Sequence, residues 1–526
     1  MDKSELPEEI TALIKAAEGG DAAAQFKLGI KYRFGEGVEQ SDSQSVEWYR
    51  RAAEQGHSKA QCNLGWMYEA GRGVAQSDEA AFEWYRKSAK QGEALAQYNV
   101  GSMYENGLGV TQNHIAAVEW YSKAAEQGDS DAQCNLGVMY IKGLGVVRND
   151  KTAVMWFRKS SKGGNAQASF NLGVAYMNAF GVNQSYARAQ SLFRKATRNA
   201  PSQLRFKAIE YQDRAQRYTL SPQITRIRER ILAQLKVREA VTMTHYTSLL
   251  VGNALLLEES PLRLGHINAL NDPNEGKLLW RYLGHSPIDS KPAFVGCFLP
   301  EDDSLNMWRF YSKNHQNDDA CGCAITFNTE HFFEFDLLSD QPSDTQQDAK
   351  NLAFPNSGKS PQESAAFYRV VYIKGEMQIH GDGKESTLLK SFKELKNAVK
   401  KFLGPEPDTE KLQQLSRLLG PLPYLLKDAD YEAEKEHRVI VTHLEYGAKE
   451  IQVLEPDLIN GRPPRLYLEL HRLNHLAPVK HVTLGPKSPH QEMMAPYWHH
   501  QLASKFADQL KTKPDFYIKA SRCAYQ

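Results

Sequence analysis

The sequence predicts a multidomain protein, in which an all-α solenoid of helical-hairpin repeats is followed by a mixed α+β domain. Three observations predict this fold class: a 36-residue period over the first 200 residues, a basic stretch over residues 151–240, and short β-rich segments from about residue 240. We therefore divide the 526 residues into five repeats over 16–200, a basic helical connector or cap over 201–240, and an α+β domain over 241–526.

Four positions mark the repeats. Each recurs every 36 residues, and the fifth copy keeps three of them but places Leu192 where the others have Trp. A period of this length is typical of stacked helical repeats. The recurring residues are Gly29, Gly65, Gly101, Gly137 and Gly173; Tyr32, Tyr68, Tyr104, Tyr140 and Tyr176; Gly37, Gly73, Gly109, Gly145 and Gly181; and Trp48, Trp84, Trp120 and Trp156.

Each copy is predicted to form two helices. In the third copy an apolar stripe at helical spacing ends at Tyr104, and Gly107 then breaks the helix. A second apolar face contains Trp120, and Trp84 is its equivalent in the second copy, so we expect truncation of both to unfold the array. Gly101 has no side chain where the two helices should approach closely. Because one hairpin cannot bury its apolar face alone, the copies should stack into a curved solenoid with a concave surface.

The pattern AxxxLGxxYxxGxGVxxxxxxAxxWYxKAAxxG closely resembles the Sel1-like repeat, a relative of the tetratricopeptide repeat. The resemblance covers about residues 16–200. It implies a protein-interaction scaffold, with a protein partner on the concave face of the repeats. The fifth copy departs from the pattern at Ser169, where the others have Gln, and at Leu192, which is typical of a capping or docking repeat.

Charge is distributed unevenly along the chain. Residues 1–150 hold 15 basic and 22 acidic residues, residues 151–240 hold 17 and 4, and residues 241–526 hold 32 and 37. The basic belt, 151–240, has three interpretations. It docks within the molecule against the acidic C-terminal part, it is a solvated face without a partner, or it binds nucleic acid or an acidic protein.

The C-terminal half is predicted to be a mixed α+β domain. Eight β-rich runs are expected at 243–247, 262–267, 294–299, 323–327, 367–373, 437–443, 465–470 and 480–485, with helices at 388–402, 409–426 and 491–510. Ser248 is a predicted helix N-cap. If the strand near 437 starts early, Glu434, Glu436 and Arg438 share one face of it.

Five segments of this half follow one another along the chain: HYTS at 245–248, LNDPNEG at 270–276, DSLNMWRFYS at 303–312, EAEKEHR at 432–438 and HVTLGP at 481–486. This order resembles the bacterial domain of unknown function family 2971 over about 241–490. We expect the polar and aromatic side chains of these segments to converge on one pocket. They are His245, Tyr246, Asn271, Asp272, Glu275, Trp308, Tyr311, Glu434, Glu436 and Arg438.

A strand His followed by Tyr, with Glu-x-Glu on a later strand, is similar to the layout of ADP-ribosyltransferases. That likeness implies NAD as a substrate, with His245 holding a ribose hydroxyl and Tyr311 or Tyr246 stacking on nicotinamide. Glu436 or Glu434 would stabilise the positive charge that develops in the transition state. The sequence departs from the layout because no Ser-Thr-Ser strand follows His245. No other cofactor and no metal is predicted.

Other chemistries have less support in the sequence. Cys321-Gly-Cys323 has no second cysteine pair for zinc, and neither GxxxxGK[ST] nor GxGxxG is present. We expect no leader peptide, no membrane span and a cytoplasmic location. The architecture suggests a bacterial regulatory, effector or defence protein. Two classes remain open: an NAD-consuming transferase targeted by its repeats, and a non-catalytic protein that binds proteins or nucleic acid.

Overall fold

The computed structural model describes residues 7–237, 242–258, 260–267, 276–288, 291–300, 321–328, 366–374, 378–380, 385–455, 464–470, 479–510 and 516–522. These residues form two compact units. The first ends at Ala200, and the second begins at Pro201. The first is entirely helical in its described part, and the second mixes helices with three β-sheets, so the predicted fold class is confirmed.

The first unit consists of one leading helix and five helix pairs. The repeats pair α2 with α3, α4 with α5, α6 with α7, α8 with α9 and α10 with α11. The helices are α1 (Glu8–Glu18), α2 (Ala22–Phe34), α3 (Asp42–Glu54), α4 (Ser58–Ala70), α5 (Asp78–Lys90), α6 (Ala94–Asn106), α7 (His114–Glu126), α8 (Ser130–Lys142), α9 (Asp150–Lys162), α10 (Ala166–Asn178) and α11 (Tyr186–Asn199).

Capping residues set the ends of these helices. The Asn113 side chain accepts a hydrogen bond of 3.1 Å from the Ala116 N–H at the start of α7. Gly107 ends α6 in the left-handed conformation, with φ of 71°, as the sequence predicts. In the fifth repeat Ala179 takes this position with φ of 59°, which a residue with a side chain rarely adopts.

The recurring glycine in each first helix lies under an aromatic ring of the second helix. A Cβ atom on Gly101 would lie only 2.7 Å from Cδ1 of Tyr121. The distance to the nearest ring carbon is 2.5 to 2.8 Å in the other four repeats, where the ring belongs to Tyr49, Tyr85, Phe157 or Phe193. This contact confirms the predicted close approach of the two helices and explains the 36-residue spacing of glycine.

The tryptophans are less deeply buried than the residues that follow them. Trp84 and Trp120 are half-buried, and their rings lie 4.0 and 4.1 Å from the ammonium groups of Lys87 and Lys123. Tyr85 and Tyr121 are fully buried. The aromatic residue after the tryptophan position is therefore the most deeply buried ring of each hairpin; it is Tyr49, Tyr85 and Tyr121 in repeats one to three and Phe157 and Phe193 in repeats four and five.

Glutamines connect neighbouring repeats. Gln61 donates a hydrogen bond of 2.9 Å to the Ala53 carbonyl of the preceding repeat and accepts one of 2.8 Å from Gln91. Equivalent bonds join the next pair of repeats. In the fifth repeat Ser169 replaces this glutamine and pairs with Ser161 at 2.8 Å. In the fifth repeat a hydrogen bond between two serine hydroxyls thus takes the place of the glutamine side-chain contact.

The second unit begins with two helices, α12 (Ser202–Leu220) and α13 (Pro222–Leu235). Ile231 and Leu235 of α13 lie in its hydrophobic core, and Arg228 is buried and donates to the Gly420 carbonyl. Residues 201–240 were predicted to be a basic helical connector or cap, and both of their helices belong to the second unit.

Two arginines of these helices form ion pairs with the later part of the chain. Arg205 pairs with Glu450 at 3.2 Å and Arg230 with Glu394 at 2.6 Å. These two arginines of the basic belt therefore pair with acidic residues of their own unit.

The remaining elements of the second unit are short, apart from two long helices. The helices are α14 (Leu249–Leu257), α15 (Leu278–Leu283), α16 (Glu385–Leu403), α17 (Thr409–Leu419) and α18 (Gln491–Leu510), with 3-10 turns at Leu422–Leu425 and Ala429–Glu434. The strands are β1 (Thr242–Thr247), β2 (Leu262–His266), β3 (Phe294–Phe298), β4 (Cys323–Asn328), β5 (Tyr368–Arg369), β6 (Val371–Lys374), β7 (Gln378–His380), β8 (Leu426–Asp428), β9 (His437–Val441), β10 (Gln452–Leu454), β11 (Arg465–Leu470), β12 (Val479–Leu484) and β13 (Tyr517–Ala520).

The strands form three sheets, with orders β1-β4-β12-β13, β10-β11-β2-β3-β9-β5 and β7-β6-β8. Pairing is antiparallel except between β12 and β13 and between β6 and β8. Each of the eight β-rich runs contains a strand, and Ser248 caps α14 as predicted. Strands β7, β8, β10 and β13 were not predicted; they have only three or four residues each.

Candidate functional site

The second unit contains a buried cluster of charges between β8 and β9, formed by Lys427, Glu434, Glu436 and Arg438 and called here the Glu436 cluster. Lys435 adopts φ of 49° and turns the chain, so β9 begins only at His437. Glu434 ends the preceding 3-10 turn. The prediction that Glu434, Glu436 and Arg438 share one face of an early strand is therefore wrong, although the turn still brings them together.

Both oxygens of the Glu436 carboxylate are bound by Arg438. The Arg438 Nε donates to Oε1 at 2.9 Å and Nη2 donates to Oε2 at 2.8 Å, a bidentate pair in which each partner is 1% exposed. Lys427 Nζ lies 3.2 Å from Oε2 of Glu436 and 2.6 Å from Oε2 of Glu434. Two carboxylates thus face two cations inside the unit.

Neighbouring elements hold these groups in place. The Glu436 backbone N–H donates to the Tyr372 hydroxyl of β6 at 2.8 Å. Arg438 Nη1 donates to the Tyr424 carbonyl at 2.6 Å. Lys427 reaches the cluster because β8 pairs in parallel with β6, so that Lys427 lies opposite Tyr372.

Charge in the cluster shifts the pKa of its members. Burial alone would raise the pKa of Glu436, but the Arg438 guanidinium and the Lys427 ammonium outweigh it and lower this pKa to about 2. Burial would lower the pKa of Lys427, but Glu436 and Glu434 raise it. Glu436 is therefore ionised throughout the physiological range, and so is Lys427.

His245 and Cys297 adjoin this cluster. The His245 Nδ1 lies 3.3 Å from the Cys297 carbonyl oxygen, and Cys297 lies opposite Arg438 in the β3–β9 register. The Cys297 side chain also helps to lower the pKa of the Glu436 carboxyl. The structure thus brings His245, Glu436 and Arg438 around one residue, Cys297.

One other residue of the predicted pocket, Tyr246, does not join this arrangement. Tyr246 follows His245 on β1, so its side chain points to the opposite face of the strand, where it is 5% exposed. The remaining predicted members of the pocket, Asn271, Asp272, Glu275, Trp308 and Tyr311, lie outside the described residues.

The geometry of the Glu436 cluster is that of a buried ion-pair network. A catalytic carboxylate needs an oxygen directed at its substrate, whereas both Glu436 oxygens are held by Arg438. Within the described residues no group of three or more His, Cys, Asp or Glu side chains is arranged to hold a metal ion. No helix in the same residues could span a bilayer.

Sequence reasoning missed Lys427, Tyr372 and Cys297 as partners of Glu436. Lys427 and Tyr372 meet Glu436 through the β6–β8 pairing, and Cys297 through the β3–β9 pairing. The sequence nevertheless contains one signal for Lys427. It is a basic residue that shortly precedes the run with Glu434, Glu436 and Arg438.

A second candidate surface lies on the first unit and is called here the first-helix stripe. It consists of the positions equivalent to 26, 27 and 30 in the first helix of each repeat. In repeats one to three, seven of these nine side chains are half-exposed or exposed: Phe26, Lys27, Ile30, Asn63, Trp66, Tyr98 and Asn99. In repeats four and five, all six equivalents are buried: Cys134, Asn135, Val138, Phe170, Asn171 and Val174.

The accessible aromatic rings of this stripe adjoin polar groups one helical turn further along, at the positions equivalent to Arg33. The Arg33 guanidinium lies 3.9 Å from the centre of the Trp66 ring. Glu69 and Glu105 each accept a hydrogen bond of 2.7 Å from a buried tyrosine hydroxyl. An aromatic and amide-bearing face of this kind offers both apolar contact and hydrogen bonds to a ligand.

The family model of the Sel1 repeat matches residues 22–57, 58–93, 94–129, 130–165 and 166–200. Residues 22–200 are an array of Sel1 repeats. The matched segments coincide with the five helix pairs, and the match ends at residue 200. The resemblance of 241–490 to the domain of unknown function family 2971 therefore stays a prediction.

Several solved structures are similar to the Sel1 array. A Sel1 repeat protein from Oxalobacter formigenes is 34% identical over 38% of this chain and 81% of its own, with a TM-score of 0.36. A protective antigen present in uropathogenic Escherichia coli strains is 34% identical over 42% and 51%, with a TM-score of 0.37. Cysteine rich protein B from Helicobacter pylori is 28% identical over 23% and 93%, with a TM-score of 0.20. No curated protein matches the chain.

Proposed function

We propose that the protein is a scaffold whose Sel1 repeats bind a partner protein through the first-helix stripe of repeats one to three. The observation that carries this proposal is the exposure of that stripe, which is open in the first three repeats and buried in the last two. We take the stripe to line the concave face of the array, because stacked helical hairpins present one helix of each repeat on that side.

The chemistry of the stripe suits an extended segment of protein. The Asn63 and Asn99 amides, one repeat apart, each carry donors and an acceptor that match a peptide group. Trp66 and Tyr98 offer half-exposed rings for apolar side chains. The amides would bind the backbone of such a segment, and the rings that alternate with them along the stripe would contact its side chains.

A photo-crosslinking residue in the full chain tests this proposal. We place p-benzoylphenylalanine at Asn99 on the stripe and, as a matched control, at the exposed Glu119 on the second helix of the same repeat. In cells of the source organism, the probe at 99 should cross-link a discrete partner that the probe at 119 does not reach. Equal cross-linking from both positions, or none from either, would contradict the proposal.

A second candidate function for the C-terminal domain is ADP-ribosyl transfer from NAD, as the resemblance to ADP-ribosyltransferases implies. The proximity of His245 and Glu436 to Cys297 supports it. The bidentate pair with Arg438 favours a structural role for Glu436 instead, because a substrate would have to displace an arginine from a buried carboxylate.

NAD turnover by the full chain separates these alternatives. A transferase should consume NAD, and His245→Ala should abolish the consumption without lowering the melting temperature. No turnover by the wild-type chain would favour a non-catalytic interaction protein. A regulatory, effector or defence role in the bacterial cytoplasm, and binding of nucleic acid by the basic belt, are further predictions from the sequence.

A further inference from the structure

The second helices of repeats four and five, α9 and α11, carry a cluster of exposed cations, called here the basic surface. No Asp or Glu occurs between residues 151 and 200. The Lys195 ammonium donates a hydrogen bond of 2.5 Å to the Ser161 carbonyl, so α11 contacts the end of α9. The exposed basic residues are Lys151, Arg158, Lys159, Lys162, Arg188, Arg194, Lys195 and Arg198.

The second helix of repeat four lacks a glutamate that the second helices of repeats one to three carry at the equivalent position. In the second repeat, Glu83 pairs with Arg86 at 2.8 Å. One full period separates these two residues from Glu119 and Ser122, and two periods separate them from Met155 and Arg158. Because repeats one to three all carry Glu here, the fold accommodates an acid, and its replacement by Met155 is not needed for packing.

Two guanidinium groups of the basic surface meet at one phenol. Arg158 Nη2 lies 3.0 Å and Arg188 Nη1 lies 3.5 Å from the Tyr176 hydroxyl. Neither arginine forms an ion pair with a carboxylate among the described residues. Burial would raise the pKa of Tyr176, but the hydrogen bonds from Arg158 and Arg188 lower it, as expected in a strongly positive environment.

Another Arg–Tyr pair in the array has a single arginine. Arg50 donates to the Tyr68 hydroxyl at 3.1 Å, in the same relation as Arg158 to Tyr176. The position equivalent to Arg188 is Ala80 in that repeat pair. The second arginine is therefore specific to the last repeat, and the two like charges share one neutral acceptor, an arrangement that an anion would stabilise.

The apolar residues of the basic surface favour one anionic partner, an acidic peptide, over another, nucleic acid. Met155 lies between Lys151 and Arg158 on α9 and is 42% exposed. The rings of Trp156, Phe157 and Phe193 are all buried, so they are not available to stack on nucleic-acid bases. An exposed thioether flanked by cations suits instead a peptide that carries both acidic and apolar side chains.

We propose that α9 and α11 form a docking surface for an acidic segment of a partner protein, with a carboxylate held between Arg158 and Arg188 and an apolar side chain against Met155. The surface lies on the second helices of the array and is separate from the first-helix stripe. It therefore adds a site to the proposed function and does not depend on it.

Binding of labelled peptides to the full chain tests this site. The probe is a 12-residue peptide of alternating Glu pairs and Leu, compared with the same peptide in which Gln replaces Glu. The wild-type chain should bind the acidic peptide in a salt-dependent manner. R158Q/R188Q should weaken binding roughly tenfold or more, as expected for loss of one set of charge-assisted hydrogen bonds. The control R50Q/R86Q removes two equivalent charges elsewhere in the array and should leave affinity nearly unchanged.

A second variant guards against effects on folding. Met155→Glu restores the acid that repeats one to three carry at this position, so it should fold normally and still weaken peptide binding about tenfold. The proposal is overturned if the wild-type chain does not bind the acidic peptide, or if R158Q/R188Q and Met155→Glu both bind it like the wild type. Tighter binding of a duplex or single-stranded oligonucleotide that competes with the peptide would assign the surface to nucleic acid and would also overturn it.

Discussion

At the scale of single residues, Glu436 could be identified from the sequence, but its role depends on residues that strand pairing brings to it. Alternating charges marked Glu434, Glu436 and Arg438 as residues that belong together. The local spacing could not reveal Lys427, because it reaches Glu436 only through the parallel pairing of β6 and β8. That partner, with the bidentate Arg438, makes Glu436 one member of a neutralised buried network.

Substitution of Glu436 should therefore destabilise the second unit. Glu436→Gln keeps the volume but leaves Arg438 and Lys427 without their shared counter-charge, and breaking a buried pair in this way costs about 3–5 kcal/mol. The free energy of unfolding, measured with urea, should fall by this amount. Glu432→Gln, at an exposed position four residues earlier, is the matched control and should change it little. Equal stability of Glu436→Gln and wild type would exclude a structural role.

The same carboxylate should make stability depend on pH. The pKa of Glu436 in the folded chain is lowered to about 2, below the ordinary value of about 4.3 expected after unfolding. Its stabilising contribution is therefore complete above the unfolded pKa and is lost as the pH falls towards 2. The difference in unfolding free energy between wild type and Glu436→Gln should be constant from pH 6 to 7 and should shrink between about pH 4.5 and 2.5. A difference that does not change with pH would contradict this assignment.

At the scale of elements, the close contact between the two helices of a repeat was predictable from the spacing of glycine. Gly101 recurs because Tyr121 occupies the volume that a side chain would need. The sequence did not rank Tyr121 above Trp120, because both lie on the apolar face of α7 and only packing distinguishes them. Short strands such as β8 and β10 were missed for a related reason: three residues carry no measurable period.

Gly101→Ala is a direct test of this contact. Alanine is favoured over glycine inside a helix by about 1 kcal/mol, so without a steric conflict the substitution should stabilise α6. We expect destabilisation instead, because the new Cβ would lie 2.7 Å from the Tyr121 ring. In a Tyr121→Ala background the same substitution should become neutral or stabilising. A double-mutant cycle with no coupling energy would show that the ring and the glycine do not constrain each other.

At the scale of the whole molecule, predictability follows the range of the contacts. Each Sel1 repeat is formed by contacts within one hairpin and with its neighbours, so the periodic sequence specifies both the helices and their packing. The three sheets of the second unit instead join strands that are far apart, such as β2 with β11 and β3 with β9. Local patterns located most of these strands but contained no information about their order.

Separate cores should give separate unfolding transitions. In the described residues, the hydrophobic clusters of repeats one to four lie between Leu13 and Trp156, and the two large clusters of the second unit begin after residue 200. Tyr121→Ala removes a fully buried ring and should lower the stability of the array by about 3–5 kcal/mol, whereas Glu436→Gln acts only on the second unit. In scanning calorimetry of the full chain, each variant should shift one transition and leave the other in place. If both variants shift one common transition, the two units unfold as one cooperative body, and the prediction of separate transitions is wrong.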